Sequence, residues 1–250
     1  MIEDPDGTML YLNGVSVSFD GFKALNALSI IVHPNEMLAI IGPNGAGKTT
    51  MMDIITGKTR PDDGQVYFNG RTDLTKLDEA TIANLGIGRK FQKPTVFESH
   101  TVWDNLVLSL KTPRDVFSAL FYTRSAADNA RIEEILDTVR LTKRQNELAA
   151  DLSHGQKQWL EVGMLLAQDP KLLLVDEPVA GMTDAETVET AKLLKEIAKT
   201  RSVVVVEHDM SFVRELGTRV TCLAEGTVLA EGTLDQVSAN PVVIERYLGR

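Results

Sequence analysis

Residues 42–49, Gly42-Pro43-Asn44-Gly45-Ala46-Gly47-Lys48-Thr49, follow a wholly apolar run, residues 37–41, and precede an apolar-periodic segment, residues 49–56. The pattern G-x-x-x-x-G-K-[ST] in a strand, loop and helix context is a phosphate cradle. Glycines let backbone N–H groups surround the anion at a helix N-terminus, Lys48 reaches the outer phosphate oxygens and the Thr49 hydroxyl suits Mg²⁺. The competing reading is a glycine-rich turn that matches by chance. The flanking strand and helix patterns argue against it.

Working outward, residues 172–175 and 203–206 share the apolar character of residues 37–41, which predicts parallel strands buried on both faces. Residues 9–32 alternate in short β-like runs, LYLNGVSVSF then ALNALSIIV, and another run, residues 65–68, follows the turn Pro61-Asp62-Asp63-Gly64. These predict an antiparallel β layer. Residues 101–146 read mainly as helix, with Ile132, Ile135, Leu136 and Val139 at helical spacing and Pro94 and Pro113 as breaks. A hairpin, VTCLAEGTVLAEG, and a short helix ending near Tyr247 close the chain. The fold class expected is α/β: a mostly parallel core sheet, an antiparallel β subdomain and an inserted helical subdomain.

The apolar run 172–175 ends in Asp176-Glu177, and ligand sites in open α/β sheets lie at strand C-terminal ends. Asp176 suits Mg²⁺ and Glu177 suits a water-polarising base, the alternative being a paired acidic cap on a following helix. His208 follows the run 203–206 and belongs to the same edge, within reach of a γ-phosphate or as a satisfied structural histidine.

The 250 residues carry 26 basic and 35 acidic side chains, a net charge of -9, with no basic stripe; nucleic acid is not an expected partner. Cys222 is the single cysteine, which excludes an intrachain disulfide and reads as a small buried hydrophobe. The acidic start MIEDPDGTML is unlike an export signal. No apolar run nears the ~18 residues of a membrane span, so any membrane role is expected to come through a partner.

Leu152-Ser153-His154-Gly155-Gln156, shortly before the Asp176-Glu177 strand, resembles the L-S-G-G-Q signature of ABC ATPases. By the same resemblance Gln92 is the glutamine that reaches Mg²⁺, His208 the switch histidine and Phe19 the aromatic that stacks on adenine. The likeness spans essentially the whole chain and implies one P-loop NTPase domain of the ABC ATPase type over residues 1–250. Its nucleotide-binding core is expected over residues 1–92 and 162–250 and its helical subdomain over residues 93–161. It implies ATP and Mg²⁺ as cofactors, held by Phe19, Gly42, Pro43, Asn44, Gly45, Ala46, Gly47, Lys48, Thr49 and Thr50, with Thr49, Gln92 and Asp176 at the metal and Lys48, Glu177 and His208 catalytic. It also implies a head-to-tail dimer, with itself or a related cassette, in which Ser153, Gly155 and Gln156 meet the ATP of the other subunit. The physics agrees, since Ser153 opens a helix whose N-terminal amides form an anion site, and an ordinary N-cap is compatible with that role.

Two positions depart from the family pattern: His154 stands where glycine is usual, and Thr183 where aspartate is common. The stretches GRKFQKPTVFESHTVWDNL, residues 117–131, PVAGMTDAE and NPVVIERYLG resemble the branched-chain-amino-acid class of importers. LSHGQKQWLE with DEPVAGMTDAE resembles its urea-transporting branch. The implied protein is the ATPase subunit of an importer at the cytoplasmic face of the inner membrane, with two permease subunits and, through them, a solute-binding protein. The implied solute is urea, or alternatively a branched-chain amino acid or other small amide. Apolar Val96, Phe97, Val102 and Trp103 are expected to receive a helix of the permease. A soluble, non-transport ABC ATPase is the competing class, opposed by the single cassette and the lack of room for a long coiled coil.

Overall fold

The computed structural model describes residues 7–90, 95–111 and 125–249. Gln92, Pro94 and Pro113, and most of the 117–131 stretch, lie outside the described residues.

The amino-terminal half opens with β1 (Leu10–Phe19) and β2 (Phe22–Val32), an antiparallel hairpin. Its two-residue turn, Asp20-Gly21, has φ of 48 and 83°, the positive values that match the right-handed twist of the flanking strands. After β3 (Met37–Ile41) and helix α1 (Lys48–Ile55), β4 (Asp63–Phe68) pairs with β1 and the short β5 (Thr72–Asp73) with β4. This completes the expected antiparallel layer, in the order β2-β1-β4-β5.

Helix α2 (Glu79–Leu85) leads into β6 (Ile87–Lys90). Two helices, α3 (Val102–Ser109) and α4 (Ala126–Thr138), and then α5 (His154–Leu166) precede β7 (Leu172–Asp176). Helix α6 (Asp184–Ala198), β8 (Ser202–Val206) and α7 (Met210–Leu216) follow. The chain then forms β9 (Arg219–Ala224), β10 (Thr227–Gly232), helix α8 (Leu234–Ser238) and a short helical stretch, Pro241–Val243, continued by a π turn over Ile244–Leu248. The second sheet runs β10-β9-β3-β8-β7-β6. All its pairings are parallel except β10 on β9, so the expected hairpin is not separate: its first strand enters the parallel core.

Why the central strands are apolar at every position is visible in what each residue meets. Leu172 and Leu174 of β7, and Val204 and Val206 of β8, pack toward the antiparallel layer and α1. Leu173, Val175, Val203 and Val205 pack toward α3–α7. Both faces are covered, so alternation has no solvent side to mark. The helices and the sheet share this second core. The boundary expected at residues 161/162 falls inside α5, whose C-terminal end packs on β6.

Candidate functional site

The loop between β3 and α1 places its glycines where side chains do not fit. Gly47, the N-cap of α1, has φ 98°. A Cβ there would stand 2.5 Å from Leu25 Cδ2 and 2.7 Å from the Ala24 carbonyl oxygen. The Lys48 ammonium donates to the carbonyls of Gly42 (2.6 Å) and Pro43 (2.9 Å), which holds it within the loop. Burial pushes its pKa down, while Glu177 and Asp176 oppose that by favouring the cation.

One cavity of about 310 Å³ is lined by Phe19, Phe22, Ala24, residues 44–50, Asp176, Glu177 and Val206. The sheet therefore brings Phe19, Asn44, Gly45, Ala46, Gly47, Lys48, Thr49, Thr50, Asp176 and Glu177 together. Gly42, Pro43 and His208 do not line the cavity; a Cβ at Gly42 would meet the Leu223 carbonyl oxygen. Phe22, opposite Phe19 across the hairpin, went unnoticed in the sequence. Both rings are exposed, Phe19 by 47% and Phe22 by 65%. A second aromatic three residues on, across an Asp-Gly turn, was the signal for it.

Asp176 is buried, and that burial raises its pKa against the pull of Arg89, whose guanidinium lies 3.6 Å away. Arg89 also pairs with Asp53 of α1, so the end of β6 ties Asp176 to the helix after the loop. Thr49 and Asp176 supply a hydroxyl and a carboxylate on one cavity, oxygen donors that fit Mg²⁺ completed by phosphate and water. No cluster of three or more His, Cys, Asp or Glu side chains could hold a metal among the described residues.

Glu177 has φ 47°, an uncommon conformation for a residue with a side chain. Its N–H donates to the Val206 carbonyl at 2.9 Å, which fixes this backbone onto β8. The Glu177 carboxylate comes within 3.4 Å of His208 Nδ1, so two strand ends deliver the pair the sequence placed on one edge. Glu207, overlooked in the sequence, is buried beneath them and accepts from the N–H groups of His208 (2.9 Å) and Asp209 (3.2 Å). Burial still raises its pKa. Its position before His208 mirrors the carboxylates after β7.

Ser153, Gly155 and Gln156 do not line this cavity. Ser153 caps α5 in a reciprocal capping box with Gln156, and its hydroxyl donates to Glu186 at 2.9 Å. His154 Nε2 contacts the Ala180 carbonyl at 3.0 Å. Thr183 caps α6, again with Glu186 as the reciprocal partner. Thus the two departures meet on one surface. Cys222 is buried, and burial raises its thiol to about 11. Of the apolar positions expected to receive a permease helix, Phe97 is exposed by 48%, whereas Val102 is fully buried in the helical core. No helix is long and apolar enough to cross a membrane among the described residues.

The family profile described as ABC transporter matches residues 25–180. The chain is 34% identical over 252 residues to the high-affinity branched-chain amino acid transport ATP-binding protein LivG of Escherichia coli (strain K12), covering 96% of this chain and 98% of that protein. It is 32% identical to the corresponding BraF of Pseudomonas aeruginosa, with the same coverage. Among solved structures, a nucleotide-free ATP-binding cassette from an ABC transporter aligns with TM-score 0.84 and 29% identity, covering 97% of this chain and all of that one, 100%. A dimeric post-hydrolysis cassette, MJ0796 bound to ADP and Pi, aligns with TM-score 0.73 and 26% identity over 90% of this chain and 99% of that one. The chain belongs to the ABC transporter family and is one of its ATP-hydrolysing cassettes.

Proposed function

We propose that this chain energises an importer of the branched-chain amino acid class, hydrolysing MgATP in a dimer whose closure pulls on two permease subunits. The observation that carries the site assignment is the single cavity shared by Phe19, Lys48, Thr49, Asp176 and Glu177, with Ser153 outside it. A nucleotide seated there rests adenine against Phe19 and its phosphates on the backbone N–H groups of residues 44–49, with Lys48 at the outer oxygens. Thr49, Asp176 and Gln92 would hold Mg²⁺, which would supply charge to offset the phosphates. Glu177 accepts a proton from the attacking water, whose oxygen bonds to the γ-phosphorus as the bond to the β–γ bridging oxygen breaks. His208, beside Glu177, orients that γ-phosphate. Ser153, Gly155 and Gln156 complete the partner's site.

The stretches LSHGQKQWLE and DEPVAGMTDAE support urea as the solute, while the relatives named above support a branched-chain amino acid. Exposed Phe97 and Leu148, joined through the Thr101–Leu148 bridge and the Ala149 N–H bond to the His100 carbonyl, support a permease contact on the helical lobe. In proteoliposomes holding the permease pair, hydrolysis stimulated by urea-loaded binding protein and not by the leucine-loaded one identifies urea; the reverse identifies the amino acid. For the site itself, Glu177→Gln keeps shape and hydrogen-bonding reach but cannot take a proton. It should bind MgATP, lose ~10²- to 10⁴-fold in kcat and dimerise on adding ATP, since unhydrolysed nucleotide stabilises the closed pair. Wild-type turnover in this variant sinks the base assignment. An ATP-induced dimer that persists after adding Ser153→Arg sinks the role in trans.

A further inference from the structure

Two consecutive basic residues at the end of β6 face opposite sides of the sheet, as a strand requires. Arg89 turns to Asp53 and Asp176 on the nucleotide side. Lys90 turns to the helical side and meets Glu161 at 3.5 Å, with both side chains almost wholly buried, 2% and 4% exposed. Glu161 lies in the middle of α5, the helix that Ser153 caps. Its other carboxylate oxygen accepts from both the backbone N–H and the hydroxyl of Thr95. A single carboxylate on the signature helix thus holds the residues on either side of positions 91–94.

Burying an ammonium and a carboxylate is costly, and apolar side chains of similar size pack a helix onto a strand as well or better. Glu161 oxygen Oε2 has no hydrogen bond even so, only the ionic contact to Lys90. The pair does not earn its place through stability. What it supplies is direction: a point contact between one side chain of β6 and one of α5, where apolar packing would tolerate sliding.

We propose that Glu161 is a positioning residue for ATP hydrolysis, coupling the end of β6, which holds Asp176 through Arg89, to the helix that presents Ser153 to a partner's nucleotide. This rests on the reading of Ser153 as acting in trans. When the nucleotide side of the sheet shifts, Lys90 and Thr95 carry that shift to α5, and the N-cap Ser153 lies eight residues before Glu161 on the same helix. A misplacement of about 1 Å at a reacting centre costs ~10²-fold in rate.

The test is steady-state hydrolysis by the full chain, well below every variant's melting temperature. Glu161→Leu fills the space but cuts both ties; kcat should fall roughly ten- to a hundredfold while KM for MgATP stays within about twofold, because the cavity residues are untouched. Lys90→Gln with Glu161→Gln rebuilds a neutral hydrogen-bonded link and should recover most of kcat. Should Glu161→Leu fail to fold, Lys90→Met carries the test, since it leaves Glu161 its Thr95 bonds and severs only β6. A folded variant with wild-type kcat, a rise in KM alone, or no recovery in the double variant overturns the proposal. Ser153→Arg run in parallel separates the two readings: if it hydrolyses normally, the trans role fails whatever Glu161 does.

Discussion

Gly47→Ala is the substitution for which the structure sets both a cost and a control. At φ 98° an alanine adopts a left-handed backbone, which costs roughly 1–2 kcal/mol. Its methyl group would also stand 2.5 Å from Leu25 Cδ2 and 2.7 Å from the Ala24 carbonyl. The second neighbour is backbone within β2, so relief requires a strand to move, and overpacking of this kind costs about 1–3 kcal/mol more. The sum, ~2–5 kcal/mol, corresponds to a fall of about 4–20 °C in melting temperature for a chain of this size. Gly45 is the control: its φ is 80°, yet nothing lies within 4 Å of a Cβ built there, so Gly45→Ala carries only the backbone term, ~1–2 kcal/mol. Thermal unfolding of the two nucleotide-free variants, followed by circular dichroism, compares them directly. MgATP should also raise the melting temperature of Gly47→Ala less than that of the wild type, because β2 carries Ala24 and Phe22 into the cavity. Gly47→Ala melting at or above Gly45→Ala would refute the steric argument.

Lys48→Ala should weaken MgATP binding by about 1.5–3 kcal/mol, the range for hydrogen bonds to charged groups, and suppress hydrolysis; titration with a fluorescent nucleotide checks the first and phosphate release the second. Phe19→Ala and Phe22→Ala should each weaken binding, and loss of a stacking ring costs ~1–3 kcal/mol; equal affinity in a variant assigns that ring to the hairpin alone. His154→Gly removes the contacts to the Ala180 carbonyl and to Gln158 and places glycine in a helix's first turn, so the melting temperature should drop by an amount matching ~1–3 kcal/mol. Calorimetry of the folded protein measures it.

The fold was legible because its signals were local: continuous apolar runs marked the parallel strands and a glycine pattern marked the loop at the head of α1. Asp176, Glu177 and His208 followed from one rule, that chemistry collects at strand C-terminal ends. What escaped was pairing across long sequence distances. Arg89 and Lys90 sit in a four-residue strand with no alternation to announce it, and their partners Asp53, Asp176 and Glu161 are scattered over more than a hundred positions, 53 to 161 and beyond. Glu207 escaped because a carboxylate before a histidine looks solvated until the strand that buries it is known. The approximate boundary expected at 161/162 lies within α5, since periodicity shows where a helix lies and not which neighbours share its core.

The departures at His154 and Thr183, which looked independent in the sequence, prove to be parts of one arrangement. Thr183 and Ser153 each cap a helix, and the same Glu186 serves both: it closes the capping box of α6 and accepts the Ser153 hydroxyl. These bonds hold its carboxyl below the usual range, so it is ionised at neutral pH. His154 adds a second tie, from the signature helix to Ala180, three residues after Glu177. Glycine at 155 then has a local reason, because a Cβ there would stand 2.6 Å from the Glu186 carboxylate. The consequence bears on the reaction in trans. The Ser153 hydroxyl already donates a hydrogen bond to the Glu186 carboxylate, so donating it instead to a partner's phosphate would exchange one anionic acceptor for another, and little net charge-assisted bonding is gained or lost in the exchange. If Ser153 acts in trans as proposed, closing the dimer draws its free energy from the nucleotide's contacts with the helix amides, while Glu186 keeps Thr183 as its remaining hydroxyl donor and stays bound to the loop that follows Glu177.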